Sequence, residues 1–181
     1  MIGERMKAKN TGRLALAGVF TALAVVFLLL TASPLATVGL AALAGVCGIP
    51  VVVEWGRKAG LVHFAAVALL TLFIVPAIEG KGMYIAFFGW YTVFKAWVES
   101  KGLPRLAEWA VKCGTFAAAV VAYGAVWVFL SDTPPPAWSW VVPLIAVALC
   151  GVFFLYDWGL SRLIGSYLTH IRPKWRHFFK F

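Results

Sequence analysis

The sequence predicts an all-α membrane protein, a single domain that forms a six-transmembrane-helix bundle with both termini cytoplasmic. Of its 181 residues, 62% are hydrophobic and 13% are charged, and the mean hydropathy is +0.89. A soluble domain is nearer half apolar and a quarter charged, so this composition indicates a bilayer around the chain. The basic residues that give the net charge of +9 lie between apolar runs, where such residues set the orientation of membrane helices. We therefore expect no nucleic-acid partner.

Six apolar segments have roughly the length that a helix needs to cross the hydrocarbon core, about 20 residues or somewhat fewer. They are residues 14–31, 35–53, 60–75, 82–98, 110–131 and 138–160, the last with a helical pattern that extends to 171. The first ends at Ser33-Pro34 and the third at Pro76, because proline does not continue a helix. The second carries Pro50 and is expected to bend there. A short interfacial helix from Pro104 is expected before the fifth.

Basic residues fall in alternate connectors, which predicts an even number of spans in the cell membrane with both ends inside. The N-terminus, the second-to-third connector, the fourth-to-fifth region and the tail are basic, while the other three connectors hold only Lys81. The basic residues are Arg5, Lys7, Lys9 and Arg13, then Arg57 and Lys58, then Lys95, Lys101, Arg105 and Lys112, and last Arg162, Arg172, Lys174, Arg176 and Lys180.

Small residues recur at four-residue spacing on the first predicted helix. Ala17 and Thr21 form one such pair, and Gly18 and Ala22 form a second. Four residues are about one helical turn, so each pair makes a flat stripe against which another helix packs closely. Two interpretations stay open: packing inside the bundle, or contact with a partner membrane subunit.

Aromatic residues cluster at the predicted outer ends of the last three helices. They form either an interfacial belt or the wall of an outward cavity in which rings stack on a flat ligand. As ligand-binding candidates we take Tyr84 and Phe88 on the fourth helix, Tyr123 and Trp127 on the fifth, and Trp138 and Trp140 at the start of the sixth.

Glu54, Lys95 and Asp157 are the ionisable residues nearest the membrane interior, and all three fall near predicted inner boundaries. Intramembrane charges suggest function, so a coupling or gating role stands beside a structural ion pair of Lys95 with Asp157 or Glu54. No metal site, cofactor or catalytic motif is predicted, and any ATP hydrolysis would belong to other subunits.

Three short motifs carry a resemblance to a known family. The first helix contains Ala17-Gly18-Val19-Phe20-Thr21-Ala22, the fourth contains Phe87-Phe88-Gly89-Trp90-Tyr91 followed by Lys95, and the sixth ends with Leu155-Tyr156-Asp157 and Arg162-Leu163-Ile164. With six helices and about this length, the chain resembles the substrate-binding (S) subunits of energy-coupling factor transporters, in particular a branch from Gram-positive bacteria.

The resemblance implies that a vitamin- or metal-type solute binds between the outer halves of the later helices. It also implies a transmembrane coupling subunit and two ATPases as partners. The chain lacks the polar clusters of vitamin-specific members, which leaves the solute open. The alternative is a structural scaffold subunit that binds a protein partner and no solute.

Overall fold

The computed structural model describes residues 2–33, 36–131 and 141–174, and these residues form helices and the short turns between them, without a strand. The helices are α1 (Ile2–Leu30), α2 (Thr37–Val46), α3 (Gly48–Ile74), α4 (Ile78–Met83), α5 (Gly89–Glu99), α6 (Arg105–Ser131) and α7 (Val141–Ser166). Two π-helical turns follow α4 and α7, at Tyr84–Phe88 and at Tyr167–Ile171.

Four of the described helical segments are long and apolar enough to cross a bilayer. By length and composition they are Gly12–Leu30, Gly48–Ile74, Arg105–Val126 and Ala146–Lys174, of which the second reverses direction at Gly56 and so is not one straight crossing. Large apolar side chains such as Phe73, Leu106 and Phe129 point away from the bundle, which water would disfavour and lipid does not. The described residues therefore form an α-helical membrane protein.

Helix α3 is a helical hairpin, because the chain reverses at Gly56. Gly56 has φ 82° and ψ −179°, in the region that favours glycine. A Cβ built on Gly48 would lie 3.6 Å from Cδ2 of His63. In a continuous helix these two residues would be more than about 20 Å apart. The reversal lies between the second and third predicted segments, within their basic connector.

The first arm of this hairpin follows α2 almost directly. Cys47 joins the two with helical dihedrals, and its N–H donates to the carbonyl oxygen of Leu43. Pro50 lies in the first turn of α3, where its missing N–H leaves the carbonyl of Val46 without its usual helical donor. The interruption of the helix near Pro50 has this local cause.

Helices α4 and α5 form one continuous helical run through the π-turn between them. The three segments have 6, 5 and 11 residues, which at about 1.5 Å per residue is the thickness of a hydrocarbon core. The wider turn changes the backbone pairing, and the indole N–H of Trp90 donates to the carbonyl oxygen of Ala86 at 3.0 Å. Helix α6 begins at Arg105, so the separate interfacial helix expected there is its first turn.

The connectors are sorted between the two ends of the bundle. At one end the Arg57 guanidinium donates to the Ser100 hydroxyl at 3.3 Å, and Arg172 pairs with Glu54 at 3.1 Å. We call this the basic end. At the opposite end Thr31 lies against Gly80. The turn at Gly56, the α5–α6 loop and the end of α7 thus share one end.

Candidate functional site

A buried ion pair joins α5 to α7 near the basic end. The ammonium of Lys95 lies 2.7 Å from Oδ1 of Asp157, and the Tyr91 hydroxyl donates to the same oxygen at 2.7 Å. Tyr91 and Lys95 are four residues apart on α5, so they share one face of the helix and reach one carboxylate. The side chains of Lys95 and Asp157 are 1% and 5% exposed.

Helix α6 contributes a second buried cation. The Lys112 ammonium lies 2.6 Å from Glu108, 3.1 Å from Glu99 and 3.6 Å from Asp157. Glu99 also accepts a contact from Lys95 at 2.8 Å. These five residues, Lys95, Glu99, Glu108, Lys112 and Asp157, form the charge network, which connects α5, α6 and α7.

The charge network places two ammonium groups against three carboxylates. Its deep part is Lys95, Lys112 and Asp157, whereas Glu99 is 42% exposed and Glu108 is partly exposed. Because the interior screens charge weakly, each buried ammonium needs its carboxylates. The two glutamates complete the neutralisation of the ammonium groups at the rim. Three carboxylates against two ammonium groups leave one negative charge in excess, and water can hydrate it there.

Aromatic rings separate the charge network from the middle of the bundle. Phe87 packs on Tyr91 with ring centroids 4.6 Å apart, and Phe116 stacks on Phe153 at 4.7 Å. The Phe87 ring also meets Phe116 edge-on at 5.1 Å. This apolar layer excludes water from the side of Asp157 that faces the core, which strengthens the contacts that Asp157 makes with Lys95 and Tyr91.

The third charge singled out from the sequence, Glu54, lies apart from the charge network. It pairs with Arg172 just beyond α7, and the Tyr167 hydroxyl lies 3.5 Å from the same carboxylate oxygen. Of the two partners considered for Lys95, the structure therefore brings Asp157 to it and leaves Glu54 at the surface of the basic end.

The aromatic candidates fall in different environments. Tyr84 and Phe88 are buried in the core, where Tyr84 lies beside Phe64. Tyr123 is half-buried, and its ring covers Gly82 so closely that a Cβ there would lie 2.7 Å from Cε2. The side chain of Trp127, and the residues Trp138 and Trp140, lie outside the described part of the chain.

The two small-residue pairs of α1 face different surroundings. Ala17 and Thr21 are half-buried, and the Thr21 hydroxyl lies 3.0 Å from Nδ1 of the buried His63 in α3. Gly18 and Ala22 are exposed, and a Cβ on Gly18 would meet nothing within 4 Å. One pair thus packs inside the bundle and the other faces outward.

Sequence reasoning missed four members of this site: Tyr91, Glu99, Glu108 and Lys112. A signal was present, because Lys95 and Glu99 are four apart, as are Glu108 and Lys112, and opposite charges at that spacing attract. The sequence pattern assigns Lys112 to orientation alone, and Lys95 both to orientation and to an ion pair with Asp157 or Glu54. Both lysines are buried and paired, which leaves Lys101 and Arg105 as the exposed cations of this connector.

The arrangement binds helices together and offers no metal centre among the described residues, where no group of three metal-ligating side chains occurs. Comparison with family models, curated proteins and solved structures found no match. What the fold and the site define is a class, the multi-pass α-helical membrane proteins with a buried interhelical charge network.

Proposed function

We propose that this chain is the solute-binding subunit of a transporter of the energy-coupling factor type, docked on a membrane partner through α1. The observation that supports this proposal is that Gly18 and Ala22, two small residues one helical turn apart on α1, face away from the bundle. Small residues of α2, namely Ala41, Ala44 and Gly45, are buried in the bundle, as internal packing requires. A flat stripe that faces outward on α1 favours close approach by a helix from another chain.

Six spans with both ends inside follow from the same proposal. The reversal at Gly56 divides Gly48–Ile74 into residues 57–74, which are long enough for one crossing, and residues 48–55, which would complete a crossing only together with α2. The run from α4 to α5 supplies a further crossing. With α1, α6 and α7 this makes six, and the basic end, which carries the exposed cations, faces the cytoplasm.

The solute would bind toward the end opposite the basic end, between the last three predicted helices. Tyr123 stands there on α6, and Trp127, Trp138 and Trp140 belong to the same stretch of sequence. Tyr84 and Phe88 lie beneath as packed core, so their role would be to support the site rather than to contact the solute. Rings in such a place suit a flat, partly apolar molecule.

The test compares Gly18→Leu with Gly114→Leu, a matched change on α6 where a Cβ also meets nothing within 4 Å. Affinity purification in mild detergent should recover a membrane partner and ATPases with the wild type and with Gly114→Leu, and lose them with Gly18→Leu. Equal recovery with both variants would reject α1 as the contact.

Native mass spectrometry of the same preparations separates the two functions. A small molecule bound to the wild type and lost from Tyr123→Ala supports the solute-binding subunit. The scaffold alternative, which the outward face of α1 fits equally well, predicts a stable protein partner, no ATPase and no bound solute.

A further inference from the structure

The part of α7 nearest the basic end is attached to the bundle along one narrow stripe. Its buried residues are Phe153, Asp157 and Leu160, followed by Tyr167 in the π-turn. Their spacing of three, four and seven residues keeps them on one helix face. Two polar attachments reinforce this stripe, the charge network at Asp157 and the contact of Arg172 with Glu54.

The part of α7 that precedes this stripe, residues 146–152, is largely exposed. Residues 146–148 and 150–152 are exposed and residue 149 is only half-buried, which covers more than one turn of about 3.6 residues. Val147 is 70% exposed. No side chain described between residues 146 and 152 is buried, in contrast to the stripe that begins at Phe153.

The corresponding half of α6, away from the basic end, has the same character. Residues 121, 122 and 124–126 are exposed, and Tyr123 is half-buried. Val121 is 71% exposed. The ring pairs Phe116–Phe153 and Trp109–Phe154 and the contact of Lys112 with Asp157 join the two helices, and they lie in the halves nearer the basic end.

Gly151 lies at the boundary between the free and the attached parts of α7. A Cβ there would meet nothing within 4 Å, so no close packing requires a glycine. Glycine inside a helix lowers its stability by about 1 kcal/mol relative to alanine. Gly159 and Gly165 of α7 are equally open, but both belong to the attached part, so Gly151 is the open glycine that lies just before the first buried residue, Phe153.

From this geometry we propose that α7 pivots at Gly151: the charge network fixes the half nearest the basic end, and the other half swings away from α6. The motion opens and closes the space between α6 and α7 at the end opposite the basic end. It goes beyond the proposed function, since it holds whether that space admits a solute, a lipid or a partner helix.

Distances between spin labels on α6 and α7 test the pivot in nanodiscs, with the native thiols removed by Cys47→Ala, Cys113→Ser and Cys150→Ser. The outer pair is Val121→Cys with Val147→Cys, and the inner pair is Val111→Cys with Leu155→Cys. All four positions are exposed, so the labels displace no core residue. Double electron–electron resonance should give a narrow distribution for the inner pair and one at least about twice as wide for the outer pair.

Two further variants locate the pivot and its anchor. Gly151→Ala should narrow the distance distribution of the outer label pair and leave that of the inner pair unchanged. Asp157→Asn should widen the inner distribution, and Glu108→Gln, a milder change at the rim, should widen it less. An outer distribution as narrow as the inner one would overturn the pivot. So would an unchanged outer width in Gly151→Ala, or an unchanged inner width when the network is weakened and the protein still folds.

Discussion

Replacing Lys95 by methionine isolates the energy of the buried ion pair. Methionine keeps most of the volume of the side chain and removes its charge, so packing changes little. Asp157 would lose the ammonium at 2.7 Å and keep the Tyr91 hydroxyl and the Lys112 ammonium at 3.6 Å. The buried carboxylate would then have the more distant Lys112 ammonium as its remaining cation.

The structure sets the size of the effect. Removing one partner of a buried ion pair costs about 3–5 kcal/mol, because the remaining charge is uncompensated. The contacts left to Asp157 place Lys95→Met near the lower value, about 3 kcal/mol. Asp157→Leu should cost more, since it deprives Lys95, Lys112 and the Tyr91 hydroxyl of an acceptor. The double variant removes both charges and leaves the Tyr91 hydroxyl without an acceptor. It should therefore lower the free energy of unfolding by about 1–3 kcal/mol.

Thermal unfolding in detergent, followed by tryptophan fluorescence, measures these differences. For a chain of this size 1 kcal/mol corresponds to about 2–4 °C, so Lys95→Met should unfold about 6–12 °C below the wild type. Lys58→Met is the control, because Lys58 is exposed and should change stability by less than about 0.5 kcal/mol.

The double-mutant cycle decides the interpretation. A coupling of at least about 2 kcal/mol between Lys95→Met and Asp157→Leu is expected for residues in direct contact. If the double variant loses as much stability as the two single variants added together, the two side chains act independently and the buried pair does not hold α5 to α7.

Three further outcomes follow from other positions. Gly45→Ala should destabilise the protein by more than about 2 kcal/mol in the same unfolding assay, because its Cβ would lie 2.5 Å from the Phe88 carbonyl oxygen. Gly39→Ala is the control: its Cβ would meet nothing within 4 Å, so the substitution should be neutral or stabilising. Gly56→Ala should cost about 1–2 kcal/mol through its positive φ, and an unchanged midpoint would contradict the reversal there. A maleimide should modify the three thiols only on unfolding, as counted by mass spectrometry, because exposed Cys113 and Cys150 face lipid, where a thiol stays protonated, and Cys47 is buried.

Several features of the fold are readable from local sequence alone. Helical structure throughout the described residues follows from apolar length, since a backbone amide in hydrocarbon must bond within its own helix. The reversal at Gly56 lies where Glu54, Arg57 and Lys58 interrupt the apolar run. The helical extension predicted beyond 160 is present, and α7 continues through its π-turn to Lys174.

Other features depend on which helix faces which. From composition, Tyr84 and Phe88 are equally suited to a membrane interface, a ligand cavity or a core, and the packing of α5 against its neighbours buries both. The same holds for the two pairs on α1, which differ by one residue in sequence and by about 100° around the helix. One residue of difference turns Thr21 toward His63 and Ala22 toward the outside.

The sequence by itself determined that this chain is helical and apolar enough for a bilayer, because transfer of apolar surface and backbone pairing are properties of each segment taken alone. Only the tertiary structure decided that Lys95, Lys112 and Asp157 meet in a single buried cluster. Charged groups far apart in sequence lower their free energy only at contact distance, and helix packing sets those distances.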